Sequence, residues 1–158
     1  MVLEQIAGAY ADIAAQKGIR LDIEPKLTTA KFDSDEKSLL TILRNLVGNA
    51  IKFCGKGGRI AVEVKETDRG FLVFTVTDNG IGMRPEDVAA FTNNEKVESC
   101  PGLSGEKGSG LGLDLVRNIV RSLRGNINLT SEPGKGTTFT ISLPVSSDYA
   151  SPKKGEAA

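Results

Sequence analysis

Histidine is missing from all 158 residues, so imidazole is excluded as a general base, a metal ligand or a phosphoacceptor within this chain. Only two cysteines occur, Cys54 and Cys100, and they make neither a disulfide framework nor zinc-ligand spacing. With no signal peptide visible, this cysteine usage fits a reducing cytoplasm. Neither charge is in surplus: twenty basic side chains balance twenty acidic ones, which leaves no overall field to favour nucleic acid or a membrane surface. No apolar run approaches the length of a membrane span. A Gly-Lys-Ser/Thr phosphate loop is lacking too, which disfavours a P-loop fold. Recognition must therefore come from local chemistry. What remains is ordinary for one soluble domain with one core, at 39% apolar and 25% charged residues. Glycine is the one excess, 18 residues, much of it between Gly80 and Gly136.

The most informative stretch is DEKSLLTILRNLVGNAIKF, residues 35 to 53. Wound as one helix, it puts Leu39, Leu43, Leu46, Val47, Ala50 and Ile51 on a broad arc built for a core. Ser38, Thr41, Asn45, Gly48, Asn49 and Lys52 share the opposite stripe. Asparagine and glycine are weak helix formers, so a merely solvated face would be better served by Ala, Glu or Gln. The stripe is expected to face a ligand. The amide oxygen of Asn49 can coordinate a hard cation and Lys52, one turn on, can reach a phosphate, which suits a metal-bound polyphosphate lying along the helix.

Ahead of this stretch, Leu3, Ile6, Ala7, Tyr10, Ile13 and Ala14 repeat at helical spacing and Gly18 is placed to stop that helix. Its abrupt start is what a domain cut from a longer protein would show. Ile19, Leu21 and Ile23 alternate as a strand, Pro25 interrupts, and residues 29 to 33 are expected to add a short strand. Ser34 or Asp35 can cap the central helix. Two alternating runs, 59 to 65 and 71 to 77, joined through Thr67, Asp68, Arg69 and Gly70, signal a hairpin. TDNGIGM, residues 77 to 83, then ends the strand pattern. Gly80 and Gly82 let the backbone turn and approach a ligand, and Asp78 beside them can accept a hydrogen bond from an exocyclic amine.

A short helix is expected from Pro85 to about Phe91. Residues 92 to 109 show no sustained period and read as a long loop, of the kind that forms lids. Gly108, Gly110 and Gly112 lie at its end, before a helix carrying Leu111, Leu113, Leu115, Val116, Ile119 and Val120 and stopping at Gly125. Glycines at a helix start suit anion binding, because free N–H groups face the ligand there. Two last strands, 126 to 132 and 137 to 143, flank EPGKGT as a tight hairpin. The tail from Ser146 is polar and expected to be disordered or a linker.

Taken in order, NLVGNAIKF, DNGIGM, GSGLGL and GKGTTF resemble the N box and three glycine boxes of the ATP-binding catalytic domain of sensor histidine kinases. The wider family includes DNA gyrase, the mismatch-repair protein MutL and a heat-shock chaperone. The likeness covers about residues 1 to 144. It implies an α+β fold, a two-layer α/β sandwich whose mixed, mainly antiparallel sheet carries helices on one face. ATP would bind between the helices and a lid at 92 to 109, within a domain of residues 1 to 145. By resemblance, Asn49 corresponds to the Mg²⁺ ligand, Asn45 to a neighbouring metal or phosphate contact, and Lys52 to a phosphate contact. Asp78 corresponds to the adenine-reading carboxylate, with Gly80, Gly82 and Met83 around the adenine. Lys107, Gly108, Gly110, Leu111 and Gly112 correspond to the lid hinge and phosphate turn, and Thr138 to a residue holding adenine through water. Lys96 and Lys107 are candidate γ-phosphate contacts, and Phe91 is expected to anchor the helix before the lid.

The hydrolytic relatives carry a glutamate one turn before the metal-binding asparagine. Here that residue is Asn45, a neutral amide that cannot take a proton from water, so hydrolysis is expected to be slow. Transfer to an already nucleophilic imidazole needs positioning and charge neutralisation instead. The resemblance therefore implies a monomeric, cytoplasmic kinase fragment whose parent could be membrane-anchored. Its partners would be ATP, Mg²⁺, a dimerisation domain bearing the phosphoacceptor histidine, and a response regulator downstream, with no nucleic acid and no membrane contact by the fragment itself. The alternatives are an anti-sigma-factor-type serine kinase of the same fold, which would need a base for its hydroxyl substrate, and a non-catalytic nucleotide-binding module.

Overall fold

The computed structural model describes residues 2–25, 36–67, 69–95 and 112–144. Helix α1 (Val2–Gln16) leads into strand β1 (Arg20–Pro25), then helix α2 (Glu36–Phe53). Strands β2 (Arg59–Glu66) and β3 (Phe71–Asp78) follow as a hairpin, then helices α3 (Pro85–Thr92) and α4 (Gly112–Ser122). Strands β4 (Asn126–Glu132) and β5 (Gly136–Pro144) close the described chain. The strand expected at 29 to 33, its neighbouring cap at Ser34 or Asp35, Asp68, residues 96 to 111 and the tail from Ser146 lie outside the described residues.

The five strands form one sheet in the order β1-β2-β3-β5-β4, with β1 parallel to β2 and the remaining pairs antiparallel. This is the mixed, mainly antiparallel sheet that the resemblance implied. Because side chains alternate between faces with a period of two, Ile60, Val62 and Val64, Leu72, Phe74 and Val76, and Phe139, Ile141 and Leu143 all share one buried face. Helix α2 is its principal cover. Ile42, Leu43, Leu46 and Val47 of that helix are essentially inaccessible, and each such side chain contributes on the order of 1.5–3 kcal/mol when removed from water.

Helix α1 stops where Gly18 takes φ +71°, letting the Ile19 amide reach back to the Ala14 carbonyl at 2.8 Å. It is stitched to α2 at two places. The Tyr10 hydroxyl donates to the Arg44 carbonyl at 3.0 Å, and Lys17 Nζ donates to the Ile51 carbonyl at 2.6 Å. Helix α3 begins with proline in its first turn and carries Asp87, which receives two hydrogen bonds from the Arg84 guanidinium, at 2.9 and 3.1 Å. At its far end Phe91 is buried edge-on against Phe139 of β5, ring centroids 5.8 Å apart. The expected anchor thus ties α3 to the sheet.

Candidate functional site

The end of β3 meets the end of α2 through the backbone. The Ile81 amide donates to the Phe53 carbonyl at 3.1 Å, one residue beyond Lys52. A side chain at Gly80 would collide with that same carbonyl, so only glycine lets the turn lie flat on the helix end. The turn is held on its other side by the β4–β5 hairpin. Gly134 donates its amide to Ile81 O at 2.8 Å, and the Met83 amide donates to Ser131 Oγ at 2.7 Å. Gly82, at φ +74°, sits where a Cβ would run into the Glu132 carbonyl. These contacts place Asp78, Gly80, Gly82 and Met83 beside the last turns of α2, where Asn49 and Lys52 lie.

Asp78 is 9% exposed. Burial pushes its carboxyl above the usual carboxylate range, and hydrogen bonds from the Gly80 and Thr137 amides pull partly back. The Gly80 bond, to Oδ1, measures 2.9 Å. Gly136, at φ +116°, allows the start of β5 to close onto the Asp78 carbonyl, which any Cβ there would strike. Nearby, the buried Cys54 thiol donates to Asn79 Oδ1 at 3.5 Å, and its pKa is raised by burial and by the Asp78 charge.

On α2 the stripe divides. Asn45 Nδ2 donates to the Thr41 carbonyl at 2.8 Å, which leaves Oδ1 facing α4, where a Cβ on Gly112 would lie 2.9 Å from it. Asn45 and Gly112 are therefore brought together. Asn49 is half-buried and its amide makes no hydrogen bond among the described residues. Lys52 Nζ stands 5.0 Å from the Phe53 ring centroid. Gly48 departs from the expected stripe. It faces α1, with a Cβ position 3.6 Å from the Tyr10 hydroxyl, so its small size serves helix packing.

Thr138 is not brought to the others. It pairs in register with Thr77 and meets that hydroxyl at 3.5 Å on the sheet face opposite Asp78. Thr137 takes the place beside Asp78: it is directly across the ladder, 8% exposed, and its hydroxyl lies 2.8 Å from Ser131 Oγ. The parity of the strand carried this signal, since Phe139, Ile141 and Leu143 are the inward residues and Thr137 shares their alternation. Lys96, Lys107, Gly108, Gly110 and Leu111 lie outside the described residues.

Arg117 was also missed. It is 8% exposed on α4 and donates to the Phe91 carbonyl at 3.1 Å and the Glu95 carbonyl at 2.8 Å, with Asp114 as its ion-pair partner. Its guanidinium lies 5.0 Å from the Phe91 ring centroid. One buried cation thereby satisfies the end of α3 and fixes it to α4. Its position between Val116 and Val120 on the inner face is the signal, a polar residue where the helical period calls for an apolar one.

Residues 34–147 match the family model for the histidine kinase-, DNA gyrase B- and HSP90-like ATPases. The chain belongs to this ATPase family. Among its relatives, the aerobic respiration control sensor protein ArcB of Escherichia coli is 36% identical over 132 residues, covering 82% of this chain and 17% of ArcB. The sensor histidine kinase ZraS of Salmonella typhimurium is 37% identical over 133 residues, covering 84% of this chain and 27% of ZraS. The chain thus spans about a sixth to a quarter of these relatives' length. Among solved structures, full-length ShkA in complex with AMPPNP superposes with a TM-score of 0.73 at 28% identity, over 90% of this chain and 29% of that one. The nucleotide-free catalytic domain of the histidine kinase ThkA shares the fold, with a TM-score of 0.76 at 19% identity over 94% and 93% of the two chains. This member of the ATPase family contains, among its described residues, no helix long and apolar enough to cross a membrane.

Proposed function

We propose that the chain binds Mg-ATP between α2 and the glycine turn after β3, and passes the γ-phosphoryl group to a histidine on a dimerisation domain outside this chain. The observation that carries the reading is the bond from Ile81 N–H to Phe53 O, which sets a buried carboxylate that accepts from amines beside the polar end of α2. Asp78 would hold the adenine amine, Thr137 would stand beside it, and Asn49 and Lys52, on the last turns of α2, would meet the phosphates. Lys107 and the glycines of GSGLGL would serve as phosphate contacts.

The residues fit a magnesium ion that arrives with the triphosphate. Among the described residues no group of three acidic, thiol or imidazole side chains is arranged to hold a metal by itself. The amide oxygens of Asn45 and Asn49 are neutral donors suited to a hard cation that keeps most of its ligands as phosphate and water. When bound, the ion would neutralise charge on the phosphate oxygens. Asn45 supplies no base, so the site suits a nucleophile that needs no deprotonation. The nitrogen of the acceptor imidazole forms a bond to the γ-phosphorus as the bond to the β–γ bridging oxygen breaks, and ADP leaves.

The parent kinase would then hand the phosphoryl group to a response regulator. The test mixes this chain with a separately made dimerisation domain and γ-labelled ATP. Acid-labile label on the histidine domain is expected; no labelling where the intact parent labels itself overturns the reading, and acid-stable label would point to serine.

A further inference from the structure

We propose that Ser131 sets the hydrogen-bond polarity of the pocket wall around Asp78, so that the site accepts a purine nucleotide with an amine at position six and rejects one with a carbonyl there. This rests on the reading of Asp78 as the base-recognising carboxylate, and names a residue that makes that recognition selective.

Ser131 Oγ makes three contacts. It receives the Met83 amide proton at 2.7 Å, gives its own proton to the Gly136 carbonyl at 2.9 Å, and lies 2.8 Å from Thr137 Oγ1. A carbonyl cannot donate, so the single proton of Ser131 lies on the Gly136 bond. An amide N–H cannot accept, so Met83 fills one of the two lone pairs. What remains is one lone pair, and the third contact must be the Thr137 hydroxyl donating into it. The only proton of Thr137 is thereby directed at Ser131, and its oxygen presents lone pairs alone to any other group.

Asp78, opposite Thr137 in the ladder, also presents lone pairs alone, with two backbone amides already pointing at it. Side by side on the buried face, the carboxylate and the hydroxyl form a strip of acceptors. An exocyclic amine brings two N–H groups to such a strip. A carbonyl in the same place would put acceptor against acceptor and leave buried polar groups unsatisfied. Ser131 is well placed for this task because it pairs with Thr137 in the β4–β5 ladder and is fully engaged, so its hydroxyl has no alternative orientation that keeps all three contacts. Without it, the Thr137 hydroxyl is free to turn its proton toward a keto oxygen.

The test titrates this chain by calorimetry with ATP and with ITP, which differ at position six. Wild-type protein is expected to prefer ATP. Ser131→Ala is expected to narrow that preference by about three- to tenfold, chiefly through tighter ITP binding. Ser131→Thr, which keeps the hydroxyl, should restore the wild-type ratio, and Thr137→Val should narrow it through weaker ATP binding instead. If Ser131→Ala does not give a cooperative melt, Ser131→Cys, whose thiol is a poor acceptor, carries the same expectation. An unaltered ratio, or equal weakening of both nucleotides, overturns the inference. Asp78→Asn separates the two levels: unchanged ATP affinity in that variant defeats the base-recognition reading itself, whereas lost affinity there with an unaltered Ser131→Ala ratio defeats only the role of Ser131.

Discussion

The two ends of the candidate site are built in opposite ways. Around Asp78 nearly every polar atom is engaged: the carboxylate by two amides, the turn by the Phe53 carbonyl and the β4–β5 hairpin, and Thr137 by Ser131. Around Asn45 and Asn49 the side chains keep capacity in reserve, with one amide oxygen facing α4 and the other amide unbonded among the described residues. The first end is shaped by backbone closure before any ligand arrives. The second offers donors and acceptors that a ligand can complete. Changes to the backbone closure at the first should therefore cost stability as well as binding, and changes at the second should cost binding alone.

Gly136→Val strikes the closed end hardest. It forces a β-branched residue to φ +116° and drives a Cβ into the Asp78 carbonyl. A loss of about 3 kcal/mol or more is expected in denaturant unfolding, together with loss of nucleotide binding. Stability within about 0.5 kcal/mol of wild type would break the contrast.

Asp78→Asn sharpens it. The amide keeps the shape but removes the acceptor oxygen facing an amine, so ATP affinity should fall about tenfold or more, while the fold stays intact. The folded-state pKa of Asp78 is raised above 3.8 by burial. The folded state therefore binds this proton more readily than the unfolded chain, so the contribution is full below the unfolded pKa and is lost as pH rises through the folded one. Unfolding measured upward from about pH 3.8 should show that loss in the wild type and not in Asp78→Asn. A wild-type profile indistinguishable from the variant's would count against the burial cost.

Asn49→Ala tests the open end. Stability should change by no more than about 0.5 kcal/mol, since no bond is broken among the described residues, while the magnesium-dependent part of ATP binding is lost. Titration with and without Mg²⁺ reads this directly. The smallest effect belongs to Thr138→Val, which lies on the opposite sheet face. ATP affinity should stay within about twofold, because no contact to the pocket is removed; a larger loss would show that the two faces communicate.

The sequence pattern already carried the elements and their boundaries. The hairpin strands, α3 and α4 lie within a residue or two of the expected spans, because alternation and helical spacing are local properties of the chain. That Asn45, Asn49 and Lys52 lie on one helix was equally legible, as was Asp78 at a strand end before its glycines. Less legible were residues whose role depends on what lies across from them. Gly48 shares a helical stripe with the asparagines, yet α1 covers it through Tyr10. Arg117 falls at an inner position of its helix, yet what it serves shows only when the carbonyls of Phe91 and Glu95 are found around it. Thr137 and Thr138 are chemically identical, and only strand parity separates them.

By itself the sequence determined which segments are helices and strands, which face of each is apolar, and which polar residues could serve a nucleotide, since all of these follow from side-chain chemistry and backbone periodicity. Tertiary structure alone decided which of those groups meet. The β5 ladder brings Thr137 to Asp78, and one amide on Phe53 O joins a strand end to a helix end. Those contacts join residues far apart along the chain, where local periodicity carries no information about distance.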